Sequence, residues 1–391
     1  MLQRVYHQLR TEFPTEQVVI ATGEAQKEQI EAQLGDQVAI VCEPDRRDTF
    51  PAIALSSTYI ADICHGNPQD IVVVLPVDPY AEQHYFSVVR RMSAVAARPH
   101  VDLVLMGIHP TNPSSRFGYM VPKEHQEGFF TIERFVEKPQ SEEARRLIEQ
   151  GACWNGGVFA FRLGYLMEIV QSHIGEYSFP ELLDRYASLG KKSFDYAVVE
   201  QAAKVAMVPY DGVWRDLGTW DALVQEMGSS GLGLQYLSQT EHTVVVNELT
   251  IPIVALGTKN IVVAASADGI LVSDIALSGH VKPLVDPLTD SPRSIHYVWG
   301  RRTVVDRIME ESTLKSEVRI VEVSAQSVWE AHEEAGTCTQ IVLLSGSGFL
   351  LTEGEELCIG AGYSTSLSRG KPLIIRSSTP MRFVETVVVK K

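Results

Sequence analysis

The sequence predicts an α/β domain on a parallel sheet, then a short β-rich region, then an all-β domain. Three observations carry that reading. From Met1 to Gln225, short β-branched runs alternate with helical patterns. From Glu241 the helical patterns stop, and short strands follow one another between turn residues. Pro283, Pro287 and Pro292 then punctuate a linker, after which strands continue to the C-terminus. A chain of 391 residues is too long for one compact core and suits two or three domains of roughly 150 residues each. The predicted divisions are 1–235, 236–292 and 293–391.

In chain order, Gln17–Thr22 (QVVIAT) reads as a strand and Ala25–Leu34 as a helix ended by Gly35. Val38–Cys42 (VAIVC) is a strand, followed by the polar loop EPDRRDTFPA and a helix over Ala52–Cys64. Asp70–Pro76 (DIVVVLP) is an almost wholly apolar strand, Phe86–Ala97 a helix and Asp102–Ile108 (DLVLMGI) another strand. Continuous apolar strands between helices indicate a parallel sheet covered on both faces. Ligands of such sheets bind beyond the carboxyl ends of the strands, which directs attention to the loops after Cys42, Pro76 and Ile108. Downstream, Val244–Val246, Ile251–Leu256, Ile261–Ala265 and Gly269–Val272 read as short strands. From Ser294 the runs RTVVDRI, EVRIVEV, QIVLLSG, GFLLTEG, PLIIRSS and RFVETVVV predict a sandwich or barrel of about a hundred residues. No repeat with a period of about 20–50 residues is visible.

Lys and Arg number 34 against 49 Asp and Glu, a formal charge of −15. That balance argues against nucleic acid or an anionic membrane as partner, while a few local cations can still bind phosphorylated small molecules. The five cysteines (Cys42, Cys64, Cys153, Cys338, Cys358) are odd in number, with no two at metal-knuckle or redox spacing. A disulfide framework is not expected, and the cytoplasm is the natural compartment. No apolar run reaches the ~18–20 residues of a membrane span. The segment MLQRVYHQLRTEF is amphipathic and polar rather than a signal peptide, and reads as beginning within a domain, with no strand before the first helix. Exposed β edges in the middle region make a homodimer the expectation.

Four segments of the α/β half place polar residues where a strand-end site would use them. In Glu43-Pro44-Asp45-Arg46-Arg47-Asp48-Thr49-Phe50-Pro51-Ala52, two prolines stiffen a loop opening into a helix that Asp48 or Thr49 can cap. The helix amides would face a ligand, or the loop is simply capped and solvated. In Leu75-Pro76-Val77-Asp78-Pro79, an Asp after a buried strand can hold a divalent cation that bridges phosphates, or close an Asx turn. In Phe135-Val136-Glu137-Lys138-Pro139, adjacent charges on a strand point to opposite faces and do not neutralise each other. Lys138 offers a charge for phosphate and Glu137 an acceptor for sugar hydroxyls; the bland alternative is a surface strand end. In Cys153-Trp154-Asn155-Gly156-Gly157, Asn155 can both donate to and accept from a polyol, or the segment is a hairpin turn. In Val213-Trp214-Arg215-Asp216-Leu217-Gly218-Thr219-Trp220, Asp216 is a second candidate metal carboxylate, and the two tryptophans are expected to form a packed wall.

Together these segments are more specific than any one. The order LPVD, GYMVP (Gly118–Pro122), FVEKP, WNGGVFAF, SFDYAVVE (Ser193–Glu200), WRDLGTW resembles the sugar-nucleotide pyrophosphorylases, most of all bacterial mannose-1-phosphate guanylyltransferases. EPDRRDTFPAIAL is similar to that family's EPxxRxTxPAIAL signature, and the resemblance covers Met1 to Val281. It implies a GT-A-like, Rossmann-type nucleotidyltransferase domain that converts GTP and mannose 1-phosphate to GDP-mannose and pyrophosphate. It further implies that Asp78 and Asp216 hold Mg²⁺, that Lys138 binds the sugar phosphate, and that Glu137 and Asn155 bind mannose hydroxyls. Gly118 and Tyr119 would line the sugar pocket, and Arg47, Thr49 and Pro51 would belong to the nucleotide-side loop. The sugar phosphate attacks the α-phosphorus in line, so the protein's task is to position two polyanions and spread their charge.

The sequence departs from the family in three places. Family members begin with a strand and a Gly-rich GGxGxRL loop whose amides hold phosphates. No such segment precedes MLQRVYHQL, which resembles the helix after that loop. A late start to the chain is the favoured explanation. The strands beside the missing one would carry unpaired edges, and this chain should be catalytically crippled. Pro79 stands where the family usually has His. The C-terminal part, with Tyr297-Val298-Trp299-Gly300 and Leu344-Ser345-Gly346-Ser347-Gly348, resembles the cupin (jelly-roll) domain of bifunctional relatives. Its matching stretch offers His332 and Glu334 but no second His, which implies a degenerate cupin without isomerase activity. The alternative to an enzyme is a non-catalytic, regulatory protein that binds sugar phosphate or nucleotide.

Overall fold

Residue contacts divide the chain into two units, Met1–Lys27 with Asp36–Gly218 and Glu28–Gly35 with Thr219–Lys391. The computed structural model describes residues 1–14, 17–35, 37–228, 230–288, 292–310, 313–332, 336–352, 355–367 and 372–389. As far as Gly218 the elements run α1 (Leu2–Leu9), β1 (Val19–Gly23), α2 (Lys27–Leu34), β2 (Ala39–Glu43), α3 (Thr49–Asp62), β3 (Ile71–Val74), β4 (Pro79–Ala81), α4 (His84–Ala96) and β5 (Leu103–Ile108). They continue as β6 (Tyr119–Gln126), β7 (Phe129–Val136), α5 (Ser141–Glu149), β8 (Cys153–Arg162), α6 (Leu163–His173), α7 (Phe179–Arg185), α8 (Phe194–Ala197), β9 (Val205–Tyr210) and β10 (Trp214–Asp216).

The main sheet has six strands in the order β3-β8-β5-β9-β7-β6. It is mixed, which corrects the expectation of a parallel sheet. β5 and β9 are parallel, but β8 runs antiparallel to both β3 and β5, and the β6–β7 hairpin adds an antiparallel edge. The apolar runs report coverage of both faces, not strand direction. All six residues of β5 are buried, and their side chains alternate between two cores. Val104, Met106 and Ile108 pack with α4, whereas Leu103 and Leu105 pack with residues of α3, α6 and α8.

β1 and β2 form a separate two-stranded parallel sheet, and no ladder among the described residues joins β1 to β3. Between them lies a cavity of about 190 Å³. Successive strand residues point to opposite faces, so a cavity over a face meets every second one. This cavity instead meets consecutive residues, Val19, Ile20 and Ala21 on one side and Val72, Val73 and Val74 on the other. It therefore abuts two strand edges. Val5 of α1 and Ile53 of α3 also line it.

The second unit holds α9 (Trp220–Met227), β11 (Gln235–Ser238), β12 (Val244–Asn247), β13 (Ile253–Leu256), β14 (Ile261–Ala265), β15 (Ile270–Asp274) and α10 (Lys282–Val285). β11 pairs in parallel with β13 and β12 with β14. Gln235 lies beside Ile253 and Val244 beside Val262, so one coil stacks on the next every 18 residues. That interval is just below the window in which no repeat was visible. Asn247 is buried and staples the coils: its Nδ2 donates to Leu234 O and Ile251 O, both at 2.8 Å, and its Oδ1 accepts from Leu249 N.

The remaining strands are β16 (Ser294–Tyr297), β17 (Gly300–Glu310), β18 (Thr313–Val323), β19 (Val328–Ala331), β20 (Thr337–Ser345), β21 (Ser347–Thr352), β22 (Glu355–Gly360), β23 (Ser364–Ser366), β24 (Leu373–Ser377) and β25 (Met381–Val389). They form a six-stranded sheet, β16-β17-β18-β25-β20-β23, and a four-stranded sheet, β19-β24-β21-β22. The chain crosses repeatedly between the two, as in a jelly roll. Val321, Trp329, Ile341 and Phe383 fill the space between them. On β18 the same face continues into Arg319 and Glu317, whose carboxylate is buried and bonded to Arg307 and Arg319. His332 pairs with Glu330 at 2.9 Å on the surface, and Glu334 lies outside the described residues. All five cysteines are free thiols. Among the described residues no helix is long and apolar enough to cross a membrane.

Replacing Asn247 with Ala removes three hydrogen bonds between a buried amide and the backbone, at a cost of about 1–3 kcal/mol. The expected result is a thermal midpoint lower by several degrees; an unchanged midpoint would show that the staple is dispensable.

Candidate active site

β4 and β10 are short strands that pair antiparallel, with Asp216 opposite Pro79. This register carries Asp78, the residue before β4, to the end of β10. A Cβ placed on Gly218 would lie 3.0 Å from Asp216 Oδ1 and 3.3 Å from Asp78 Oδ2. Two carboxylates distant in sequence thus converge on one small space, which stays open because residue 218 is glycine. Burial raises the Asp78 pKa, and the neighbouring Asp216 adds to the shift. Asp216 also accepts from Gly218 N at 2.9 Å and pairs with Arg116 at 3.1 Å. Among the described residues, no group of three or more His, Cys, Asp or Glu could hold a metal ion. A cation here would take two protein carboxylates and complete its shell with water and ligand oxygens, a donor set that suits a hard ion such as Mg²⁺.

Two residues beyond Arg116, the backbone enters a second polar cluster. Gly118 O accepts from Asn155 N at 2.8 Å. A Cβ on Gly118 would fall 2.6 Å from Glu137 Oε2 and 2.5 Å from the Phe135 ring, so only glycine lets the Glu137 carboxylate sit there. Glu137 is bound to Lys138 at 2.9 Å, with the carboxylate side chain 8% exposed and the lysine 60%. This corrects the expectation that the two charges point to opposite faces. β7 ends at Val136, and Lys138 has φ +45°, which turns the chain off the strand and folds the ammonium back onto its neighbour. The bond to Glu137 raises the Lys138 pKa and keeps it a cation.

Asn155 lies in β8 where Gly107 pairs with Asn155 but Leu105 with Phe159, leaving a bulge at Gly156–Val158. Gly157 has φ +69° there, a conformation that favours glycine. Asn155 Nδ2 donates to Asp195 Oδ1 at 2.8 Å, and Gly157 N donates to Asn155 Oδ1 at 3.1 Å. Asp195 has its pKa pushed up to about 6 by burial and by Glu137, against the opposing pull of Lys138 and the Asn155 hydrogen bond. Tyr119 is fully buried, and its hydroxyl donates to Ser114 O and accepts from Ser114 N, fixing the loop that carries Arg116. Phe117 packs against Trp154 and Trp214.

The loop before α3 holds other parts of the chain. Arg47 donates to Ala187 O and Leu189 O and pairs with Asp45 at 2.7 Å. Asp48, at φ +70°, accepts from Thr49 N and caps the helix. Phe50 N donates to Lys192 O, and Thr49 Oγ1 accepts from Phe194 N at 2.8 Å. Two of the first amides of α3 are therefore spent on protein, and Thr49 anchors the helix that carries Asp195. Pro51 is buried in the first turn. Each tryptophan packs in a core of its own unit: Trp214 in the first, and Trp220 on Val224, Val244 and Val262 of the second.

A profile of nucleotidyl transferases matches residues 1–229, more than half of the chain. The chain belongs to the nucleotidyl transferase family. A mannose-1-phosphate guanylyltransferase of Klebsiella pneumoniae is 27% identical over 379 residues, covering 84% of this chain and 76% of the relative. One from Escherichia coli is 26% identical over 372 residues, covering 85% and 75%. The crystal structure of a Thermus thermophilus protein described as a mannose-1-phosphate geranyltransferase matches with a TM-score of 0.63 and 27% identity. The match covers 74% of this chain and 89% of that one.

Within this nucleotidyl transferase, the sequence-predicted residues fall into three groups. Asp78 and Asp216 meet, and Gly118, Glu137, Lys138 and Asn155 meet. Arg47, Thr49 and Pro51 support neighbouring segments. Sequence reasoning missed Arg116 and Asp195. Asp195 had a signal, since it sits in the SFDYAVVE motif; Arg116 lies in a polar loop with none.

Gly118→Ala should force Phe135 and Glu137 apart, at about 1–3 kcal/mol. A thermal midpoint several degrees lower is expected, and an unshifted one would mean that the neighbours yield freely. Asp195 gives a pH signature. Its folded pKa is raised above the ~3.9 of an unfolded Asp, so the folded state holds the proton longer. Its contribution is most favourable below about pH 4 and is lost as pH rises through about 6. Asp195→Asn should therefore raise the thermal midpoint above about pH 6 with no gain below about pH 4; an equal gain at both ends would contradict the shift.

Proposed function

We propose that this nucleotidyl transferase joins mannose 1-phosphate to the guanylyl group of GTP, releasing pyrophosphate. The observation that carries the reading is the adjacency of two charge centres of opposite purpose. The acidic pair Asp78–Asp216 and the cluster of Gly118, Glu137, Lys138 and Asn155 are joined by three consecutive residues, Arg116 to Gly118. Three residues of chain cover less than about 11 Å, the scale of a sugar phosphate beside a triphosphate.

In this reading Lys138 grips the phosphate of the hexose, while Glu137 and Asn155 bond its hydroxyls. Tyr119 fixes the loop beside them, and Arg47, Thr49 and Pro51 brace the loop on the nucleotide side. Asp78 and Asp216 would hold Mg²⁺, and the ion would supply positive charge beside the pyrophosphate. The attacking phosphate oxygen is already ionised near neutrality, so no general base is needed. The chain's own residues orient the hexose phosphate for in-line attack and keep Lys138 charged beside it. The catalytic domain is assigned to 1–235, ahead of the β-rich region 236–292 and the cupin-like domain 293–391. Exposed Val254 on β13 and Val272 on β15 support a homodimer, and the free thiols suit the cytoplasm.

The test is pyrophosphate release from GTP and mannose 1-phosphate with Mg²⁺. Asp216→Asn should lower turnover by about 100-fold or more. Equal turnover in the two proteins would remove the carboxylate pair from the mechanism. Mannose 1-phosphate binding without any turnover would overturn catalysis by this chain and leave sugar-phosphate binding as its activity.

A further inference from the structure

Asp195 joins the cluster of Glu137, Lys138 and Asn155, yet guanylyl transfer as derived so far gives it no task. Its Oδ1 takes one hydrogen of the Asn155 amide, at 2.8 Å, while Gly157 N occupies the Asn155 oxygen at 3.1 Å. An amide has two N–H donors and an oxygen with two lone pairs. Here one donor and one lone pair are already committed to protein. A flipped amide would set oxygen against carboxylate and NH₂ against N–H, losing both bonds. Asn155 is thus locked, and the donor and lone pair it has left keep one fixed direction. A rigid donor–acceptor pair is what distinguishes one hydroxyl configuration from its epimer.

The charges around Asp195 add a second consequence. Glu137 and Lys138 act on it from the end of β7 and Asn155 from β8, while its α8 neighbour Tyr196 acts on Lys138. With both carboxylates ionised, Glu137 and Asp195 outnumber the single ammonium. An arriving phosphate then meets a pocket of net negative charge. With Asp195 protonated the pocket is neutral, and the hydrogen bond from Asn155 survives on the remaining carbonyl oxygen.

We infer that Asp195 is a positioning residue of the sugar-phosphate subsite, which fixes the orientation of the Asn155 amide and makes capture of a hexose 1-phosphate weaken as pH rises. The inference rests on the sugar-phosphate reading of the pocket and deepens it. That ionisation falls near neutrality agrees with a carboxyl pushed up to about 6.

The experiment is calorimetric titration of the full chain with mannose 1-phosphate, and with its 2-epimer glucose 1-phosphate, between about pH 5.5 and about pH 8. Wild type is compared with Asp195→Asn and Asp195→Ala. Asn at 195 still accepts from Asn155 but carries no charge. It should match wild type at the acid end and bind mannose 1-phosphate several-fold more tightly at the alkaline end. The sugar phosphate's own ionisation cancels in that ratio. Ala at 195 frees the amide, so binding should weaken about tenfold and the preference between epimers should collapse. If wild type binds but both variants keep its affinity, pH slope and epimer preference, the role of Asp195 is overturned while the pocket stands. If wild type binds neither sugar phosphate at any pH, the sugar-phosphate reading fails and this inference falls with it. Asp195→Asn preserves the hydrogen bond, so the comparison holds even where Asp195→Ala does not fold.

Discussion

The site rests on a three-residue pairing of β4 with β10. That ladder is what brings Asp78 to Asp216, and the two side chains repel each other once ionised. Backbone ladder bonds supply the constraint, since side-chain electrostatics would drive the pair apart. Gly218 leaves the space between them open, and Arg116 sets one positive charge against Asp216. The backbone therefore holds two mutually repelling carboxylates side by side, with the Arg116 guanidinium paired to one of them.

The second cluster is governed by departures from regular strand geometry. Lys138 at φ +45° and the bulge after Asn155 each aim a polar group where an ideal strand would not. Both lie beside Gly118, and the absence of a side chain there decides how close Glu137 can come. Chemistry is placed by irregular backbone, and the irregular backbone is placed by the sheet, whose central strand β5 is buried along its whole length.

Much of this was legible in the residues, and what was not has identifiable causes. The strands at Val38–Cys42, Asp70–Pro76 and Asp102–Ile108 were readable because unbroken apolar runs of that length need two covered faces. Their direction was not, because a run of Val and Leu looks the same in a parallel or an antiparallel ladder. The pairing of Glu137 with Lys138 was hidden by assuming a strand through a position that leaves it. Motif reading also did not separate residues that meet a ligand from residues that hold the scaffold. Arg47 and Thr49 attract attention as polar groups in a loop, yet their bonds go to Ala187, Leu189 and Phe194. The 18-residue stacking of the middle region was invisible since only short apolar stretches recur, not residue identities.

That stacking has an evolutionary implication. In a spiral of coils, each layer leans only on the one above and the one below. Gain of one whole layer would preserve the existing ladders, together with the alternation of inward and outward residues, whereas an insertion within a strand would throw the register off. The segment between α9 and the jelly roll is thus a place where relatives can differ in length by whole turns while each flanking part keeps its own architecture.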